Sequence, residues 1–202
     1  MKLAVMTQPT FFVEEDKILT SLFDEGLDNL HLYKLGSSPM YSERLLTLLS
    51  DDYYSKITVH DNFYLKEEYK LHGIHIDGAS TPIPKGYRGH VSRTCTRLEE
   101  LKEAKKNADY VFLKYIFDSQ TEPDQKATFT EAQLKEAANR GLIDRHVYAL
   151  GGMNLDNIRI AKDLGFGGVV ISGDLWKRFN IHQELDYQEL IDHFTKLRKA
   201  IG

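Results

Sequence analysis

Three histidines stand in short apolar runs: His31 in Leu30-His31-Leu32-Tyr33, His60 in Ile57-Thr58-Val59-His60 and His75 in Ile74-His75-Ile76-Asp77. In an extended strand alternate residues share a face. His31 then goes with Tyr33, Thr58 with His60, and His75 with Asp77, while Leu30, Leu32, Ile57, Val59, Ile74 and Ile76 take the other face. Neutral imidazole and carboxylate are ordinary zinc ligands, so these three faces converging with Asp61 or Asp77 would make a metal-hydrolase site. The other reading is a set of hydrogen-bonded core histidines, and the chain has neither a His-x-His nor a His-Glu-x-x-His spacing.

Two further segments are rich in small residues, Ala149-Leu150-Gly151-Gly152-Met153-Asn154 and Val169-Val170-Ile171-Ser172-Gly173-Asp174. Small residues let backbone N–H groups come close to an anion, which makes Gly151, Gly152, Ser172 and Gly173 candidates for phosphate. Alternatively Gly151 and Gly152 form only a tight strand-to-helix turn, with Asn154 as its cap. A long polar stretch, Lys114 to Lys126, could close over a substrate. In it Ser119 and Thr121 could donate to phosphate oxygens and Lys114 could supply charge, or the stretch is an ordinary surface loop.

The elements that must position these residues repeat along the chain. Strands are expected near Lys2 to Met6, Asn29 to Lys34, Ile57 to His60, Gly73 to Ile76, Gly89 to Ser92, Tyr110 to Leu113, Val147 to Leu150 and Val169 to Ser172. Helices are expected near Val13 to Glu25, Ser42 to Leu49, Phe63 to Tyr69, Leu98 to Asn107, Glu131 to Arg140, Leu155 to Leu164 and Tyr187 to Lys199, with Gly26, Gly141 and Gly165 as stops. Between Ile76 and Gly89, Pro82 and Pro84 leave little room for a helix, so the fourth crossover is expected short or missing. Eight β/α units in 202 residues predict an α/β fold, a single (β/α)8 barrel over residues 1–202, with a doubly wound open sheet as runner-up. A barrel would place its site at the carboxyl ends of the strands, with phosphate after strands seven and eight.

Composition narrows the function classes. With 26 basic against 30 acidic residues and a net charge of -4, no global positive field exists to hold a nucleic-acid backbone. No segment has the length of a membrane span, and the apolar start is too short for a signal peptide, which predicts a cytoplasmic protein. Cys95 is the only cysteine, so neither an internal disulfide nor a thiolate cage can form.

Taken in order, Leu30-His31-Leu32-Tyr33-Lys34, Val59-His60-Asp61, Gly73-Ile74-His75-Ile76, Val91-Ser92, Ala108-Asp109-Tyr110-Val111 through Ile116-Phe117, Ala149-Leu150-Gly151-Gly152-Met153 and Gly167-Gly168-Val169-Val170-Ile171-Ser172 resemble the thiamin phosphate synthase family, with its thiazole tautomerase branch. The resemblance implies a (β/α)8 barrel that holds thiazole phosphate near Gly151, Gly152, Ser172 and Gly173. It also implies a transferase that joins the thiazole to a pyrimidine diphosphate with Mg2+ and releases pyrophosphate. Ser92 would face the pyrimidine, Asp61 the metal, and Tyr33, Lys34, Lys114, Ser119 and Thr121 the substrates. Barrels of this kind often pair, so a homodimer is possible; no nucleic acid or membrane partner is implied.

The charged positions of the family pattern differ here. Its Gln-x-Arg-x-Lys strand reads His31-Leu32-Tyr33-Lys34-Leu35, its Asn-Asp pair reads His60-Asp61, its second magnesium carboxylate falls at Ser80, and its loop lysine falls near Glu122. Each charged hydrogen bond in a dry site is worth roughly 1.5–3 kcal/mol, so these exchanges predict a degenerate pyrophosphate site. Thiazole tautomerisation needs no pyrophosphate site, only an acid/base group such as Tyr115, His31 or His60; the branch's histidine aligns with Tyr115. A catalytically silent phosphate-ligand binding protein is the third reading.

Overall fold

The computed structural model describes residues 1–180 and 186–202. Eight parallel strands close into a barrel in chain order: β1 Lys2–Met6, β2 Leu30–Leu32, β3 Ile57–Val59, β4 Gly73–Asp77, β5 His90–Cys95, β6 Tyr110–Lys114, β7 Val147–Leu150 and β8 Gly168–Ile171. Four register pairs from Lys2↔Gly168 to Val5↔Ile171 close the ring. The runner-up, an open sheet, is thereby excluded. Among the described residues no helix is long and apolar enough to cross a membrane.

The helices are α1 Glu15–Asp24, α2 Pro39–Leu48, α3 Tyr64–Glu68, α4 Leu101–Ala104, α5 Glu131–Asn139, α6 Ile158–Asp163, α7 Gly173–Trp176 and α8 Gln188–Ile201. α1 buries Ile18, Leu19, Leu22 and Phe23 against the strands, a 3.6-residue stripe in which each full burial is worth about 1.5–3 kcal/mol. Three helices differ from the sequence expectation. α2 starts three residues early, because Pro39 at the first turn is preset for the helix. The segment Leu98 to Asn107 is a four-residue α-helix between two 3-10 turns. α6 begins at Ile158, since the Asn154 side chain accepts from the Asp156 and Asn157 N–H groups and holds the preceding residues as a turn. α7 was not signalled by any periodicity, being a single turn.

The fourth crossover has no helix, as its prolines predict. Buried Arg93 stands in for one by donating to the carbonyls of Gly78, Thr81 and Asn107, which ties the β4–β5 connection to the barrel wall.

Alternation divides each strand between two cores. Outward residues such as Leu30, Leu32, Ile57, Val59, Ile74 and Ile76 join the helices in the main apolar core. Inward residues Ala4, Tyr110, Phe112, Tyr148, Leu150 and Val170 fill the barrel. At the amino-terminal end Tyr110 and Tyr148 stack at 4.5 Å and 9°. That end is packed, and the carboxyl end is open.

Candidate active site

A cavity of about 300 Å3 opens at the carboxyl ends of the strands. β3 and β4 deliver His60, His75 and Asp77; β5 and β6 deliver Thr94, Phe112 and Lys114; the turns after β7 and β8 deliver Gly151, Gly152, Ser172 and Gly173. Tyr33, Tyr115, Ser119 and Thr121 complete the wall. Of the residues singled out in the sequence, Tyr33, Lys114, Tyr115, Ser119, Thr121 and the four turn residues are brought together with His60, His75 and Asp77. His31, Lys34, Asp61 and Ser92 are not.

The glycine turns are shaped by space as much as by dihedral. Gly152 has φ 63°, and a Cβ there would run into the Asp118 carbonyl and the Phe117 backbone. Its own carbonyl accepts from Gln120 Nε2 at 2.7 Å and Asn157 Nδ2 at 2.8 Å, which locks the turn from both sides. A Cβ on Gly173 would lie 2.8 Å from Thr121 Cγ2, so the 114–126 loop is folded directly over the β8 turn. The N–H groups of Gly152 and Gly173 bond to no described residue and are free to meet an anion.

The opposite wall is made of imidazoles. His31 Nδ1 lies 2.8 Å from His60 Nε2, and His31 Nε2 lies 2.6 Å from the Tyr110 hydroxyl. His75 is held at Nδ1 by the Ser92 hydroxyl, 2.8 Å away, and at Nε2 by the Thr94 hydroxyl, 2.7 Å away. His60 and His75 stack at 4.2 Å and 18°. Burial pushes the His60 imidazolium down to about 3, with the Lys114 charge adding to it. Burial likewise pushes His31 and His75 well below the ordinary histidine range, reinforced by their neighbours. All three are neutral at pH 7.

Three sequence expectations are corrected. Lys34 is wholly buried outside the cavity, with Nζ 2.6 Å from Glu15 Oε1 and 2.9 Å from the Thr10 carbonyl. It has the parity of Leu30 and Leu32, so it points to α1 rather than to substrate. Ser92 is buried beneath His75 and does not reach the cavity; it orients that imidazole instead. His31 lies one layer below the floor, hydrogen-bonded to His60 and packed against the rings of His75 and Phe112.

The metal expectations meet the same geometry. Ring nitrogens of His31, His60 and His75 lie within 4.8 Å of one another. Two tetrahedral zinc ligands at their usual bond lengths sit roughly 3.4 Å apart. His31 and His60 are instead 2.8 Å apart in a direct hydrogen bond. For magnesium, which wants carboxylate oxygens, Asp61 is half-buried beside the cavity without lining it, and position 80 is a serine. Among the described residues the cavity carboxylates are Asp77 and Glu122. The donor set therefore does not fit the expected magnesium pair.

Residues 42–175 match the family model described as thiamine monophosphate synthase. The chain belongs to this family. It is 28% identical over 145 residues to the thiamine-phosphate synthase of Fusobacterium nucleatum, a match covering 68% of this chain and 66% of that protein. The corresponding Nitrosomonas eutropha protein is 29% identical over 157 residues, covering 74% and 70%. A crystal structure of a thiamine phosphate pyrophosphorylase from Bacteroides thetaiotaomicron superposes with TM-score 0.90 and 49% identity over 99% of this chain and 97% of that one.

Residues the sequence reading passed over are Thr94 and Gln120 on the wall and Tyr110 beneath it. Thr94 shares inward parity with Ser92, but the strand was expected to end at Ser92.

Proposed function

We propose that this family member binds one phosphorylated thiazole of thiamin synthesis and moves a proton on it, rather than joining it to a pyrimidine diphosphate. The phosphate sits on the Gly151-Gly152 and Ser172-Gly173 turns, with Lys114, Ser119 and Thr121 beside it, and the ring lies against His60, His75 and Tyr33. The observation that carries this reading is the charge of the cavity: among the described residues Lys114 is the one lysine or arginine that lines it, set against Asp77 and Glu122. A monophosphate can be held by one cation and backbone N–H groups. A departing pyrophosphate needs more positive charge than that, and Lys34 is committed to Glu15. His60 and Tyr115 both line the cavity and are the candidate acid/base groups.

Condensation with release of pyrophosphate is the second reading, favoured by the names of the relatives above. Purified protein given thiazole phosphate alone, and then with pyrimidine diphosphate and magnesium, separates the two. Tautomer interconversion in the first mixture supports the isomerase; thiamin phosphate in the second overturns it. Binding without either reaction supports a silent ligand-binding protein.

A further inference from the structure

A line of hydrogen-bonded side chains runs the length of the barrel. It starts at His60, whose ring lines the cavity and whose Nδ1 bonds to no described residue. His60 Nε2 meets His31 Nδ1 at 2.8 Å, and His31 Nε2 meets the Tyr110 hydroxyl at 2.6 Å. That hydroxyl lies 3.3 Å from Asn29 Nδ2 and 3.4 Å from Asn29 Oδ1. Tyr110 also lines a second hollow, at the amino-terminal mouth, with Lys2, Asp109, Arg145 and His146. Phe112 packs against His31 and Tyr148 stacks on Tyr110 along the line.

A neutral imidazole has one donor and one acceptor nitrogen, so only two arrangements satisfy this line. In the first, Tyr110 donates to His31, His31 donates to His60, and His60 faces the cavity with Nδ1–H. In the second, every bond is reversed: His60 Nε2–H donates to His31 Nδ1, His31 Nε2–H donates to Tyr110, the Tyr110 hydroxyl donates to Asn29 Oδ1, and His60 Nδ1 is a bare acceptor. We propose that His60, His31 and Tyr110 form a proton wire that switches the cavity face of His60 between base and acid and exchanges protons with water at the opposite mouth. Its use on a substrate rests on the proton-transfer reading above.

The step balances. A substrate C–H or N–H bond breaks and leaves its electron pair on the substrate, while the proton joins His60 Nδ1. The Nε2 proton of His60 passes to His31 Nδ1, the Nε2 proton of His31 passes to Tyr110 Oη, and the former phenol proton goes to water at the lower mouth. Every member of the line is neutral before and after, as suits an interior that disfavours imidazolium. Running the line backwards returns a proton to a different substrate atom. His75 stands outside the wire, because both of its nitrogens are held by Ser92 and Thr94.

Imidazole 15N NMR of the full-length protein tests the wire without any ligand. The Tyr110→Phe substitution removes the far end yet keeps the ring stack, and the tautomer populations of His31 and His60 should shift together. A His60 signal unmoved by Tyr110→Phe overturns the wire. Asn29→Leu, at a half-buried site, is the second variant should Tyr110→Phe not fold, and it should shift the same two signals in the same direction. A zinc titration that saturates at one equivalent and moves all three histidine signals would overturn the wire in favour of a metal centre. With thiazole phosphate, Tyr110→Phe should lower kcat at least tenfold and leave KM within twofold. Joint tautomer shifts in a wild type that turns nothing over would support the wire and refute the isomerase reading alone.

Discussion

On its β7–β8 side the cavity presents backbone, and on its β2–β5 side it presents buried side chains. The first side depends on what is absent: no Cβ at Gly152, and none at Gly173 beneath Thr121. The second depends on what is present, a set of imidazoles and hydroxyls that satisfy one another in a dry interior. Backbone donors are fixed whatever the neighbouring side chains become, so the glycine side is sensitive to size and indifferent to pH. The histidine side tolerates small changes of shape but is sensitive to protons, because an unpaired or charged group there has no water to turn to.

Acid acts on three buried imidazoles at once and so offers the largest break between the two. His60 titrates near 6.5 when unfolded and at about 3 when folded, so the unfolded chain binds the proton first. Its contribution is complete above pH 6.5 and is lost as pH falls from there toward 3. At pH 5 this amounts to about 2 kcal/mol relative to pH 8, and His31 and His75 act in the same direction. Urea denaturation across pH 8 to 5 should show steep loss, with a shallower slope in His60→Gln. An unchanged slope in that variant would show that His60 charges freely in the native state.

Lys34 supplies the next effect and separates fold from site. Lys34→Met leaves Glu15 buried without its partner, which should cost about 3–5 kcal/mol in urea denaturation. Affinity of the folded fraction for thiazole phosphate should not change. A tenfold loss of affinity at full folding would put Lys34 back among the substrate groups.

Much of this was legible in the residues. Alternation gave the inward faces of β2, β3 and β4, and the paired prolines gave the missing crossover helix. Lys34 was misplaced although parity placed it outward with Leu30 and Leu32, because a lysine beside a candidate site invites a functional reading. Thr94 was missed because β5 runs on to Cys95, three residues beyond the expected end. Tyr110 could not have been paired with His31 at all. The two are 79 positions apart and meet only through the barrel interior, where β2 and β6 face each other across the ring.

Gly152→Ala tests the backbone side. The new Cβ must displace the Asp118 carbonyl at a positive φ, a strain of about 1–3 kcal/mol. Calorimetric titration with thiazole phosphate should show affinity reduced by a similar free energy, with the acid stability of the histidine side unaltered. Full affinity in that variant would remove the β7 turn from the phosphate site.

The smallest effect distinguishes two hydroxyls on one imidazole. Ser92 holds His75 from beneath, wholly buried, whereas Thr94 holds it where the cavity begins. Removing Ser92 Oγ by Ser92→Ala strands a buried ring nitrogen, at a cost of about 1–3 kcal/mol. Removing Thr94 Oγ1 by Thr94→Val lets cavity water take its place, so the cost should be only about 0.5–1.5 kcal/mol. Urea midpoints of the two variants measure the difference. Equal losses would mean that water does not reach His75 Nε2, and that the dry side of the cavity extends up to its rim.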